Sequence, residues 1–277
     1  MRMPGIFFLT LVFFVTEAYS QQIISEGGIA TAGSGGINMM SSDHWGTMNN
    51  PAALPVTKTF SAGLHVRNRF QVDNLNEGML AVSYSPSEKE GFGASLSYFS
   101  HEHYHVEQNW RFAYGRKLTE SLYAGVNFDF FHRSVFQSSS ATMLTGGTGI
   151  IFDITEELQF GASVFNPFGI QPTDNELIPP KNQIDAGLEY RFSEKLQWKS
   201  HYRYSNDGGH SLIPGVSYKP VESIRLNKAV AIMPFQQSFS IEFTYRNIRT
   251  GMAFKWHPVL GFDSHAGLDY FHGYDQQ

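Results

Sequence analysis

The chain has 277 residues, a formal net charge of −5 and no cysteine. The mild negative charge gives no basic surface for nucleic acid, and the missing cysteine removes both a disulfide framework and the attachment point of a lipoprotein anchor. With 24 Phe, 13 Tyr, 4 Trp and 26 Gly at a mean hydropathy of −0.25, the composition excludes a bundle of membrane helices but suits barrel strands, which are apolar on one face only.

The chain opens with Arg2, an apolar run from Ile6 to Val15, and "TEAYS", in which Ala18 and Ser20 are small. This order is that of a secretory signal peptide over residues 1–20, with the mature chain starting at Gln21. The run is too short to span a bilayer as a helix. Residues 21–57 are Gly-rich and do not alternate. A short helix is expected around Asn38 to Trp45. The scattered Ile, Met, Trp and Leu favour a segment packed into a lumen as a hatch over a disordered leader, which would be poor in such residues.

From residue 58 to 277 the sequence is a succession of alternating segments. Successive side chains of a strand point to opposite faces. Phe60, Ala62, Leu64 and Val66 oppose Ser61, Gly63, His65 and Arg67. The same pattern recurs at 92–98, 110–115, 122–130, 184–192, 196–204, 239–256 and 265–270. Segments around 78–85, 142–153, 157–165, 210–219 and 222–233 are weaker but compatible. About fourteen strands result, an all-β antiparallel barrel. The short motifs "TESL", "TEEL", "SEKL" and "VESI" each separate two segments and read as one polar turn reused at one end. Longer connections lie between them. Short turns at one end and longer loops at the other is the layout of a bacterial outer-membrane barrel.

In such a barrel the apolar faces meet lipid and the charged faces point inward. Asp185, Glu189, Arg191, Arg203, Glu242 and Arg246 are expected to form a lumen charge network. Both signs occur, whereas an open ion pore tends to show a ring of one sign, so a closed interior is expected.

Chemistry-bearing motifs are sparse. "HEHYH" would put His101, His103 and His105 on one face if its strand continued, but at that spacing the three do not easily close on one zinc ion, and a strand end or surface loop is the expected reading. The glycine clusters "AGSGGI" and "TGGTGI" lack the spacing and the lysine of a phosphate loop. No serine, histidine and carboxylate set stands out by its spacing. No enzyme activity and no cofactor are expected.

The stretch "GGIATAGSGGINMMSSDHWGTMNNPAAL" resembles the opening of FadL-like and PorV/PorQ-like outer-membrane proteins. Gly35 and Gly36 match a glycine pair, Asp43 a helix position, and Asn50, Pro51, Ala52 and Leu54 an Asn-Pro-Ala-Gly-Leu motif in which Ala53 replaces the glycine. "FGASVFNPFG" and "IPPKNQIDAGLEYRFSEKL" agree with later parts of the pattern. The resemblance implies a fourteen-stranded barrel with an N-terminal hatch, in the outer membrane of a Gram-negative bacterium among lipid and lipopolysaccharide. It also implies two roles. One is an accessory subunit that binds other envelope proteins, as in type IX secretion. The other is passive transport of hydrophobic small molecules. The short loops leave little room for a deep external groove, which favours the accessory subunit.

Overall fold

The computed structural model describes residues 27–57, 59–101, 104–136, 140–168, 182–206 and 208–272. The expected signal peptide, its cleavage site and His103 lie outside these. Fourteen antiparallel strands form one closed ring in chain order. They are β1 (Phe60–Asn68), β2 (Leu75–Ser87), β3 (Glu90–His101), β4 (His105–Lys117), β5 (Leu122–Val135), β6 (Ser140–Asp153) and β7 (Leu158–Phe165), followed by β8 (Gln183–Arg191), β9 (Leu196–Ser205), β10 (Gly209–Val221), β11 (Ile224–Ala231), β12 (Gln236–Tyr245), β13 (Ile248–His257) and β14 (Gly261–His272). The ring closes where β1 pairs with β14, with Phe60 opposite His272. Every segment expected as a strand is one, including the weaker five.

The period of two holds because the faces differ in what they meet. Phe239 and Phe243 of β12 are exposed on the outside, while Ser238, Ser240 and Glu242 are buried within. Leu64 and Val66 of β1 point out, and His65 between them is buried. The outer surface is thus a continuous apolar band and the core is polar.

The reused turn is a physical device. The Thr119, Thr155 and Ser193 hydroxyls each accept the backbone N–H three residues on, from Leu122, Leu158 and Leu196. A side chain thereby supplies a bond that the backbone would otherwise lack, as in other turns of this kind. "VESI" differs, because Val221 and Ile224 pair directly across a tighter turn. All these turns lie at the end of the ring where β1 begins. The wider connections lie at the opposite end.

Residues 27–57 lie inside the ring. They form α1 (Ile29–Gly33), α2 (Gly46–Asn49) and a 3-10 turn (Pro51–Val56). The helix expected over Asn38 to Trp45 does not form. There Asp43 Oδ1 accepts the Ser41 hydroxyl at 2.7 Å and the Trp45 N–H at 3.1 Å. A short polar side chain that bonds its own backbone competes with helix and favours a helix start, and α2 begins just after it.

Candidate functional site: the seat of the N-terminal segment

The segment has a seat because the wall withholds side chains. Gly91, Gly115, Gly125 and Gly149 are cross-strand partners in one row over β3 to β6. A Cβ on Gly125 would fall 2.4 Å from the Pro51 carbonyl carbon, and one on Gly91 would fall 2.4 Å from the Leu54 oxygen. The 3-10 turn fills that bare strip. Asn50 fixes its start, accepting the Ala52 N–H at 3.1 Å and donating to the Ile150 carbonyl at 3.2 Å. Pro51 occupies the first position of the turn, where its missing N–H costs nothing. On the far side, Gly251 and Gly267 are partners in β13 and β14 and make room for Ile29 of α1.

Wall charges then hold the segment in place. Arg249 of β13 donates to Asp43 at 2.5 Å and to Asp269 of β14 at 2.9 Å, and it lies 3.3 Å from Glu242. Asp269 also bonds His44 Nε2 at 3.0 Å and the Trp45 indole N–H at 2.9 Å. Burial pushes the Asp43 carboxyl up, but Arg249, His44 and Ser41 outweigh it and hold its pKa at about 2. Elsewhere Lys199 Nζ donates to Asn38 at 3.2 Å, Arg203 to the Gly36 carbonyl at 3.1 Å, and Arg111 to the Met48 carbonyl at 2.6 Å. Buried charges are tolerated when paired and fully hydrogen-bonded, and each of these cations also has a carboxylate on the wall, Glu189, Asp185 or Asp129.

The sequence-predicted residues divide. Asp185, Glu189, Arg203 and Glu242 face inward and belong to these pairs. Arg191 and Arg246 do not. Both have inward parity but stand at strand ends, outside the lumen. Arg191 donates to the Glu156 carbonyl in the next turn, and Arg246 lies over the Tyr245 ring in the β12–β13 turn. Gly35 and Gly36 have φ of 81° and 91°, a conformation that favours glycine. Arg249, the centre of the network, was missed because it sits in the polar break between two clear strands. Carrying the β13 parity two residues back from Gly251 would have found it. The strand through "HEHYH" does not continue. His101 ends β3, His105 begins β4, and the two face each other across the turn. His105 pairs with Glu107 at 2.8 Å. Among the described residues no group could hold a metal ion.

A cavity of about 40 Å³ with a mixed polar and apolar lining lies between the segment and β4 to β9, bordered by Ile37, Met39, Arg111, Asp185 and Arg203. That is room for a few waters at roughly 10–15 Å³ each. Toward the wider-loop end, Arg67 pairs with Asp263 and Glu77, and Arg69 with Glu77.

No family profile matches the chain, and no curated protein sequence matches it. Solved structures do. The CymD monoaromatic hydrocarbon channel aligns with a TM-score of 0.69 at 11% identity, covering 88% of this chain and 97% of that one. The toluene transporter TodX of P. putida aligns at 0.67 and 11% identity, covering 91% and 100%. A Pseudomonas aeruginosa FadL homologue aligns at 0.61 and 10% identity, covering 88% and 98%. At such identities the likeness establishes the shared fold. These neighbours are of the FadL kind, and the PorV/PorQ side of the resemblance gains no support from them.

Proposed function

We propose that this chain is an outer-membrane channel for passive uptake of small hydrophobic molecules, with residues 21–57 as a displaceable hatch and residues 58–277 as the barrel. The observation that carries this reading is the seat itself. A segment that precedes the first strand occupies the interior and is held by side-chain bonds to the wall. No disulfide is available to fix it, and it adds no strand to the ring. The structural neighbours, hydrocarbon channels and a toluene transporter, support a transport role and a hydrophobic cargo. The apolar outer band fits a bilayer, and closure of the ring leaves no sheet edge in lipid. The accessory-subunit role favoured by the short loops gains nothing from these neighbours.

The absence of native cysteine allows a direct test. An ideal Cβ at Gly35 lies 3.7 Å from the Ala229 Cβ, inside the usual disulfide span. Positive φ at Gly35 adds roughly 1–3 kcal/mol of strain for cysteine, and its Cβ would meet Ile213 Cγ2 at 2.5 Å, so the pair is placed on an Ile213→Ala background. In liposomes holding the Gly35→Cys, Ala229→Cys protein, toluene flux is expected to fall to the empty-vesicle level on oxidation and return on reduction. Equal flux in both states would remove the hatch. Flux no higher than that of empty vesicles in either state, with the unsubstituted chain equally inactive, would remove transport.

A further inference from the structure

His65 of β1 and His265 of β14 face each other across the seam that closes the ring. His65 Nε2 lies 3.1 Å from His265 Nδ1, and the rings stack with centroids 5.2 Å apart. The other nitrogen of His65, Nδ1, lies 3.0 Å from the backbone N of Gly28, the residue that starts α1. Gly28 is pressed there by Trp45, whose ring would meet a Cβ on Gly28 at 2.8 Å and which forms a T-shaped pair with His65, ring centroids 5.8 Å apart.

The protons in this chain have one arrangement. An amide N–H only donates, so His65 Nδ1 is bare. A neutral imidazole carries one proton, so that of His65 is on Nε2 and points at His265 Nδ1. The proton of His265 is then on Nε2. Add one proton and both bonds can no longer be kept. A proton on His65 Nδ1 confronts the Gly28 N–H. A proton on His265 Nδ1 confronts the His65 Nε2–H, and the two rings stay bonded only if the His65 proton moves to Nδ1, where it too confronts the Gly28 N–H. Among the described residues, the charged groups around the pair are Arg67 on β1, Arg69 in the following loop, Glu77 on β2, Lys255 on β13 and Asp263 on β14, with His44 and Asp269 on the short-turn side. Arg67 and Arg69 already engage Glu77 and Asp263.

We infer that Gly28, His65 and His265 form a proton-operated catch on the N-terminal segment. Acidification frees the start of α1 from the seam, while the bonds to Asn38, Asp43 and Met48 hold the remainder. This inference rests on the hatch reading and says which signal loosens it. The test is amide hydrogen exchange of the folded, detergent-solubilised full chain between pH 7.5 and 4.0, each rate normalised to intrinsic exchange at that pH. Peptides covering 27–33 are expected to lose about tenfold in protection, the change that one pH unit of titration produces. Peptides covering 41–49 should not change. His65→Gln offers Gly28 an acceptor that does not titrate, and its 27–33 protection should be flat. His265→Gln removes one ring, and the midpoint should move. Constant protection in the unsubstituted chain, a loss that survives His65→Gln, or an unmoved midpoint in His265→Gln would overturn the catch. Because the readout is exchange and not flux, a catch that responds in a chain that carries no toluene would leave the inference standing and sink transport alone.

Discussion

Asp43 shows how one residue decides whether the segment stays. It meets Arg249, caps the turn before α2 and stands beside His44. Its pKa is lowered from 3.8 to about 2, so the folded state binds its proton more weakly than the unfolded chain does. The sign follows from linkage. The stability that Asp43 contributes is fully present above about pH 4 and is lost as pH falls toward 2. Asp43→Asn should therefore loosen residues 41–49 by about 1.5–3 kcal/mol, the worth of a hydrogen bond to a charged group, read as faster amide exchange at neutral pH. Arg246→Gln, outside the lumen, should leave the same peptides unchanged. Parity alone gave Arg246 and Arg191 the same standing as Glu242. The difference is distance along the strand: at a strand end, inward parity no longer means the interior.

At the scale of elements the strands were the legible part, because lipid on one side and charge on the other write a period of two into each segment. That pattern has a depth. Phe128 stands at the middle of β5 and is 61% exposed, and Tyr245 ends β12 at 72% exposed. Phe128→Arg should cost roughly 2–4 kcal/mol, whereas Tyr245→Arg should cost about 0–1 kcal/mol. Heat-modifiable mobility on a gel would then show a depleted folded form for the first and a near-normal one for the second. What the sequence did not reveal is the bare strip on the inner surface. The glycine row is spread over four strands, and only the register brings Gly91, Gly115, Gly125 and Gly149 side by side. Gly125→Ala should push the Pro51 backbone out of its seat at a cost of about 1–3 kcal/mol. Gly78→Ala, where a Cβ meets nothing within 4 Å, should be silent. Exchange protection of residues 50–56 separates the two. The helix at 38–45 was misplaced for a similar reason. Its residues answer to wall partners such as Lys199 and Arg249, which lie far away in sequence.

For the whole molecule, the seam between β1 and β14 has a consequence for how the barrel is made. His65 and His265 meet across 200 residues of sequence, so the first and last strands must find each other late, and closing so long a loop is entropically slow. The inner segment shortens that search. His44 and Trp45 lie just upstream of β1, and both grip Asp269 of β14. A chain with the segment folded therefore presents the last strand with a docking point already tied to the first. The segment acts as a mandrel around which the staves are drawn up. Deleting residues 27–57 while keeping residues 1–26 should slow the appearance of the heat-modifiable form during refolding into micelles. Adding residues 27–57 back as a separate peptide should rescue it only weakly, since the mandrel works by being joined to the first stave.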